Sequence, residues 1–179
     1  YTNDNGTRFD TSDDRKEIRQ NNAFDQVNAL GKARFHLGSQ WTFSLMNWLF
    51  WRDQGVPGLG QFQTTKSQYN DLENLSVFSM KGKNLAGMLD WSADLGFRYT
   101  QSAFRDPLNE IGLTGDASSD RSYSPSLSST LTVKPFSWWD ITGQTSYRYE
   151  RIATAADSNA VVPSDRHTAS AGLESGFHI

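Results

Sequence analysis

The stretch Leu89 to Thr100, LDWSADLGFRYT, constrains the fold more than any other part of the chain. Leu89, Trp91, Ala93, Leu95, Phe97 and Tyr99 are apolar or aromatic, and Asp90, Ser92, Asp94, Gly96, Arg98 and Thr100 are polar or glycine. Alternation of this kind gives a strand two chemically different faces. A helix would need apolar residues about every 3.6 positions and would scatter Asp90, Asp94 and Arg98 around its apolar side.

The same alternation recurs along the chain. Val27, Ala29, Gly31, Ala33, Phe35 and Leu37 interleave with a set ending in Lys32, Arg34 and His36. Leu127, Ser129, Leu131 and Val133 interleave with Ser128, Thr130, Thr132 and Lys134, and Trp139 to Tyr149 with Asp140 to Glu150. Ala169, Ala171, Leu173 and Phe177 form a further set, and a weaker one runs from Leu75 to Lys81. The aromatic stretch from Gln40 reads as an ascending strand with Trp41, Phe43, Leu45, Leu49 and Trp51 on one face. Asn47 interrupts that face, while Met46, Trp48 and Phe50 lie on the other. Either a bulge near Met46–Asn47 changes the facing, or the second face gains aromatics at its upper end.

The pattern predicts an all-β chain: an antiparallel up-and-down meander of about seven strands, approximately 25–37, 41–51, 73–81, 88–100, 123–134, 138–151 and 166–179. Three connections, LGSQ, KGKNLAG and KPFSW, are short. They alternate with long polar segments at approximately 52–72, 101–122 and 152–165, after a polar lead-in at 1–24. In a meander this places every short turn at one end and every long loop at the other. Outer-membrane β-barrels have that asymmetry, with short periplasmic turns and long outer loops.

Alternation does not say which face meets water. A soluble barrel, sandwich or β-sheet binding module with its apolar face inside is one solution; a transmembrane barrel with that face in lipid is the other. The polar face is rich in Ser, Thr, Gly and Gln, which suits a crowded lumen. Aromatics sit near span ends, as at Trp91 and Tyr99, Trp139 with Tyr147 and Tyr149, and Trp41 with Trp51. Such rings favour membrane interfaces. The spans approach the ~9–11 residues that a tilted strand needs to cross a bilayer. The mean hydropathy of −0.62 speaks against a transmembrane helix but not against a barrel, whose strands average out to polar. The expected architecture is therefore part of a transmembrane β-barrel.

Composition removes several function classes. There are no cysteines, hence no disulfides, thiol nucleophiles or cysteine metal sites. A net charge of −3 argues against general nucleic-acid binding.

The stretch RQNNAFDQVNALGKARFHLGSQWTFSLMNWLFWRDQGVPG (19–58) resembles the barrel portion of TonB-dependent outer-membrane receptors. The likeness lies in the R-x-N-N that leads into a descending strand, the tight turn, the aromatic ascending strand and G-V-P-G in the following outer loop. The rest of the chain continues it as strand-and-loop rhythm. The resemblance implies a barrel of about 22 strands, filled by a plug domain of the same full-length protein and opened by an inner-membrane energy-coupling protein. Seven strands are about a third of such a barrel, so the chain reads as a portion lacking the plug and the energy-coupling box. The implied role is energised uptake of a scarce nutrient such as a ferric siderophore or corrinoid, in the outer membrane of a Gram-negative bacterium, surrounded by outer-membrane lipid. A passive porin is the neighbouring reading.

Candidate site residues follow from this placement. Trp51, Arg52, Gln61, Phe62, Tyr69, Phe104 and Arg105 fall at or in the outer loops, where aromatic and Arg side chains make good ligand anchors. Asp90, Asp94, Arg98, Gln144, Arg148 and Glu150 fall on inward polar faces. His36, His167 and His178 lack metal-ligand spacing. Asn3, Asp4, Asp10, Asp13 and Asp14 offer hard oxygen ligands of the kind calcium takes, but the EF-hand spacing fails, and a solvated loop is the expectation. No nucleophile motif is present, so neither catalysis nor a cofactor is expected. The loops mix acids and bases without a dominant sign, which leaves the ligand open.

Overall fold

The computed structural model describes residues 1–7, 9–58, 62–111, 117–156 and 162–178. A small pair, β1 (Thr2–Asn3) and β2 (Arg15–Lys16), encloses a single 3-10 turn at Thr11–Asp13. The body is a seven-stranded antiparallel sheet in strict sequence order: β3 (Phe24–Leu37), β4 (Trp41–Gly55), β5 (Gln68–Leu85), β6 (Leu89–Arg105), β7 (Ala117–Phe136), β8 (Trp139–Ala156) and β9 (Val162–Phe177). The described residues contain no α-helix, and none of their helical turns is long or apolar enough to cross a membrane. The sheet is open: β3 and β9 each pair on one side only, leaving two free edges.

The strands run well beyond the expected boundaries at the long-loop end. Residues 52–55, 68–72, 101–105, 117–122, 152–156 and 162–165 are strand rather than loop, so the intervening connections shrink to 56–67, 106–116 and 157–161. Sequences such as QYND and QSAFR in these extensions lack alternation because both of their faces are polar or mixed. The ladder needs only backbone groups and continues without it. The lead-in likewise carries the β1–β2 pair and the 3-10 turn.

No bulge occurs at Met46–Asn47. Both neighbours pair with β4 in unbroken register through this point, Met46 against Lys32 and Val77, Asn47 against Gly31 and Ser76. Trp48 and Phe50 therefore share a face with Thr42 and Ser44. Asn47 stays on the apolar face, where its amide donates to Ser76 Oγ at 2.8 Å and Asn74 Oδ1 at 3.3 Å. The irregularities lie instead beside two of the turns, at Gly82/Leu85 and Val133/Phe136.

The register is staggered. The row starting at Leu37, the last residue of β3, crosses Trp41, Gly82, Trp91, Leu131, Gly143 and Leu173, four residues short of the end of β9. Stagger of this kind accompanies strand tilt in barrels. Within the row, Gly82 leaves space for its neighbours. A Cβ there would lie 2.9 Å from the Trp41 ring, and over this gap Trp41 and Trp91 meet edge to face with centroids 6.1 Å apart.

The faces differ in shape as well as chemistry. Hollows open on the polar face, which is concave; the apolar face is convex. Among the described residues no hydrophobic side chain is buried. Leu45, Leu95, Leu127 and Leu173 project from the convex side with relative exposures of 50, 54, 47 and 82%. The turn end of that side carries a stacked aromatic group, Phe136 on Trp138 at 5.4 Å and Trp139 on Phe177 at 6.1 Å. At the loop end Tyr123 and Tyr149 approach to 6.2 Å.

Candidate functional site

The concave face has two zones. The lower zone is a trough of about 860 Å³ along β5 to β9. It forms because the side chains there are small: Ser122, Ser124, Ser126 and Ser128 occupy successive inward positions of β7, and Gly96 faces Ser126. Hydroxyls bond across the strands, Thr100 with Ser122 at 2.7 Å and Ser146 with Ser170 at 2.7 Å. Arg98 pairs with Glu73 at 2.8 Å, and Arg166 with Glu150. Asp94 and Arg148 also line the trough, and neither has an ion-pair partner among the described residues. Nearer the turns Lys134 pairs with Asp90 at 2.7 Å. The register places all of Asp90, Asp94, Arg98, Gln144, Arg148 and Glu150 on this one face.

The upper zone lies beneath the long loops. Trp48 Nε1 donates to Asn28 Oδ1 at 2.7 Å and its ring stacks on Phe50 at 6.2 Å. The Arg52 guanidinium sits 4.6 Å over the Phe24 ring, and its buried Nε has no hydrogen-bond partner among the described residues. Tyr69 faces Phe104 on one side and Gln54 on the other. This zone offers ring faces and one guanidinium, a combination suited to a planar or anionic ligand.

The expected outer-loop anchors separate. Arg52, Tyr69 and Phe104 lie on strands and on the concave face, whereas Trp51 and Arg105 fall on the convex face, because successive strand residues point to opposite sides. Phe62 lies in the 56–67 connection and is 70% exposed. Gln61 lies outside the described residues.

The histidines are spread over the sheet. His36 contacts Thr42 at 3.0 Å, His167 contacts Tyr147 at 2.7 Å and His178 pairs with Asp140. Local donors engage the acids of the lead-in: Asp10 accepts from Ser12 N at 3.0 Å and caps the 3-10 turn, and Asp13 accepts from Thr7 Oγ1 at 2.7 Å. These hydrogen bonds hold both carboxyls below their usual range, the Ser12 side chain acting most strongly on Asp10 and the Thr7 side chain on Asp13. No group of three or more His, Cys, Asp or Glu placed to hold a metal occurs among the described residues.

A clasp above the sheet joins three segments that carry no shared sequence motif. Asn21 Nδ2 donates to Ser67 O at 2.6 Å and to Thr64 Oγ1 at 3.1 Å, tying the lead-in to the 56–67 connection. Glu110 reaches the same connection from the β6–β7 side and accepts from Thr65 N at 2.9 Å, Thr65 Oγ1 at 2.7 Å and Lys66 N at 2.8 Å. Asp106 accepts from Ser67 Oγ at 2.9 Å, Glu110 N at 2.9 Å and Ile111 N at 2.8 Å. Thr64, Ser67 and Asp106 are fully buried polar residues in a chain that buries no hydrophobic one among those described. The Thr65 hydroxyl, followed by Lys66 N–H, brings the Glu110 carboxyl down to about 2. Burial is the largest single influence on Asp106 and pushes it up, but the N–H groups of Ile111 and Glu110 with the Ser67 hydroxyl outweigh it and hold it low. The sequence carried one signal, Asp106-Pro107, a dipeptide that favours turns.

Comparison with protein-family models, with curated proteins and with solved structures finds no match to this chain.

Proposed function

We propose that this sheet is part of the wall of an outer-membrane receptor of the TonB-dependent kind, which takes up a scarce nutrient such as a ferric siderophore or corrinoid with energy delivered from the inner membrane. The observation that carries the reading is the pairing of curvature with chemistry: the convex face is apolar and uncovered, and the concave face is polar and hollow. A soluble module would place those leucines in a core, and the described residues have none. From Trp41 to Trp51, a rise of ~3.3 Å per residue and a tilt of ~40° give roughly 25 Å. That matches the ~25 Å apolar band of such barrels. Further strands at the free edges of β3 and β9 complete the barrel, and a plug domain of the full-length protein packs against the trough. The upper aromatic-arginine zone then faces incoming ligand under loops that the clasp holds together.

Uptake by the full-length protein tests the function. Accumulation of labelled ferric siderophores or corrinoids should depend on this protein and stop when a protonophore discharges the inner membrane. Passage that continues after discharge contradicts the receptor reading and supports a passive porin. The architecture has its own test. With two free edges and an uncovered apolar face, the 179-residue chain should aggregate without detergent; a monodisperse, cooperatively folding monomer in plain buffer would contradict the barrel.

A further inference from the structure

The basic residues of the seven strands are unevenly distributed. Lys32, Arg34, Arg52, Lys81, Arg98, Lys134, Arg148 and Arg166 lie on the concave face, and Lys83 opens onto a hollow there with Lys81 and Asp90. The convex face carries Arg105, Arg121 and Arg151, all at the long-loop end. Two of these are close. Arg121 faces Gln101 and Ala153, Arg151 faces Tyr123 and Asp165, and the two arginines are diagonal neighbours on β7 and β8. Diagonal side chains across a ladder are within reach of one another when long.

Neither arginine has a carboxylate at close hydrogen-bond distance among the described residues. Arg121 is exposed and has no ion-pair partner among the described residues. Arg151 Nε stands 3.7 Å from Asp165 Oδ1, an oxygen that already accepts from the Tyr149 hydroxyl at 2.9 Å, and the Arg151 side chain also engages Tyr123, which faces it across the ladder. Directly below, toward the turns, the convex face becomes apolar at Leu127, which is 47% exposed.

We propose that Arg121 and Arg151 form a site for the phosphate of an anionic membrane lipid, whose acyl chains lie along the apolar surface beginning at Leu127. This rests on the membrane-barrel reading given above. Two guanidinium groups on neighbouring strands can hold one phosphate by charge-assisted hydrogen bonds. The tyrosines Tyr123 and Tyr149 flank it at the depth where amphipathic rings favour the headgroup region. A free phosphate would use only the cations. A lipid uses the cations and the apolar surface beneath them, so the continuity of the two selects the lipid. The turn end offers no such site, because its strand cations point to the concave side.

The test uses the full-length protein in neutral detergent and native mass spectrometry. Phosphatidic acid, phosphatidylcholine with the same acyl chains, and inorganic phosphate are titrated separately. Phosphatidic acid should bind more tightly than the other two. The double variant R121Q/R151Q should bind it roughly thirtyfold more weakly, the effect expected for two cations at a membrane surface. Lys83→Gln, which removes a charge at the turn end, should leave binding unchanged. Arg121→Gln alone, at an exposed position, serves if the double variant does not fold, and should show part of the loss. Unchanged phosphatidic acid binding in the arginine variants overturns the site, as does inorganic phosphate binding as tightly as the lipid. A label at residue 95 separates the two levels of failure. If lipid-borne quenchers reach it while the arginine variants bind normally, only the lipid site falls; if they do not, the membrane reading falls and takes the site with it.

Discussion

Leu95 and Gly96 are neighbours on β6 and live in different surroundings. Leu95 lies on the convex face between Phe78 and Leu127 and is 54% exposed, with no part of the described chain covering it. Gly96 lies on the concave face between Val77 and Ser126, in a trough of hydroxyls and charges. The contrast repeats across the sheet. The concave face carries the ion pairs Arg98–Glu73, Lys134–Asp90 and Arg166–Glu150; the convex face carries the exposed leucines, with polar pairs such as Asn47–Ser76, Trp91–Ser129 and Tyr147–His167 set among them. One backbone ladder thus separates two environments, and alternation in the sequence is the imprint of that separation.

The largest expected effect comes from putting charge on the convex face. If the sheet belongs to a membrane barrel as proposed, Leu95→Arg in the full-length protein should cost roughly 2–4 kcal/mol, the range for a cation at the bilayer midplane. Denaturant unfolding from lipid vesicles measures it. A negligible cost would mean that this face does not meet hydrocarbon.

The next effect separates the sheet from its loops. Asp106→Ala leaves the N–H groups of Glu110 and Ile111 without their acceptor and leaves the Ser67 hydroxyl only the longer bond to Glu110 Oε2 at 3.3 Å. A buried unsatisfied group costs about 1–3 kcal/mol. The loss should appear as faster hydrogen exchange and proteolysis at 56–67 and 106–111, with the strands still protected. Acid should act similarly. The Glu110 and Asp106 carboxyls titrate lower when folded than when unfolded, so the unfolded chain binds protons first as pH falls. Their contribution is complete above the ordinary Glu value of 4.5 and declines toward the Glu110 value of about 2. Loop protection that is flat from neutral pH down to pH ~2 would show that the clasp does not hold these loops.

Two smaller effects sharpen the contrast of faces. On the same proposal Tyr99→Arg, nearer the long-loop end, should cost only about 0–1 kcal/mol in the same assay, because a cation at an interface can snorkel to the headgroups. Gly96→Ser should be smaller still. Its Cβ would fall 2.5 Å from Ser126 Oγ, the mobile end of a short side chain that can rotate away into the trough. A cost at Gly96 larger than at Leu95 would reverse the assignment of the faces.

The seven strands were legible because each span meets unlike environments on its two sides, which writes a period of two into residues such as those from Leu89 to Thr100. Their extensions were not, because at Gln101 to Arg105 or Ala117 to Ser122 neither face is consistently apolar and only the backbone ladder continues. The facing of Trp48 and Phe50 was ambiguous, since a one-residue bulge and inward aromatics produce the same string; the unbroken register on both sides of β4 decides it. The clasp joins Thr65 to Glu110 and Ser67 to Asp106 across 45 and 39 positions, and such non-local polar contacts leave no periodic trace. Of the anchors expected at the loop end, Arg52, Tyr69 and Phe104 come together on one face, while Trp51 and Arg105 go to the other by alternation alone.

If the proposal holds, the convex face meets lipid and the concave face meets water. Spin labels at residues 95 and 94 of the full-length protein in vesicles test it most directly, because adjacent positions on one strand share depth but not side. The label at residue 95 should be relaxed by a lipid-soluble agent and the label at residue 94 by a water-soluble one. The opposite pattern, or water access at both positions, would contradict it.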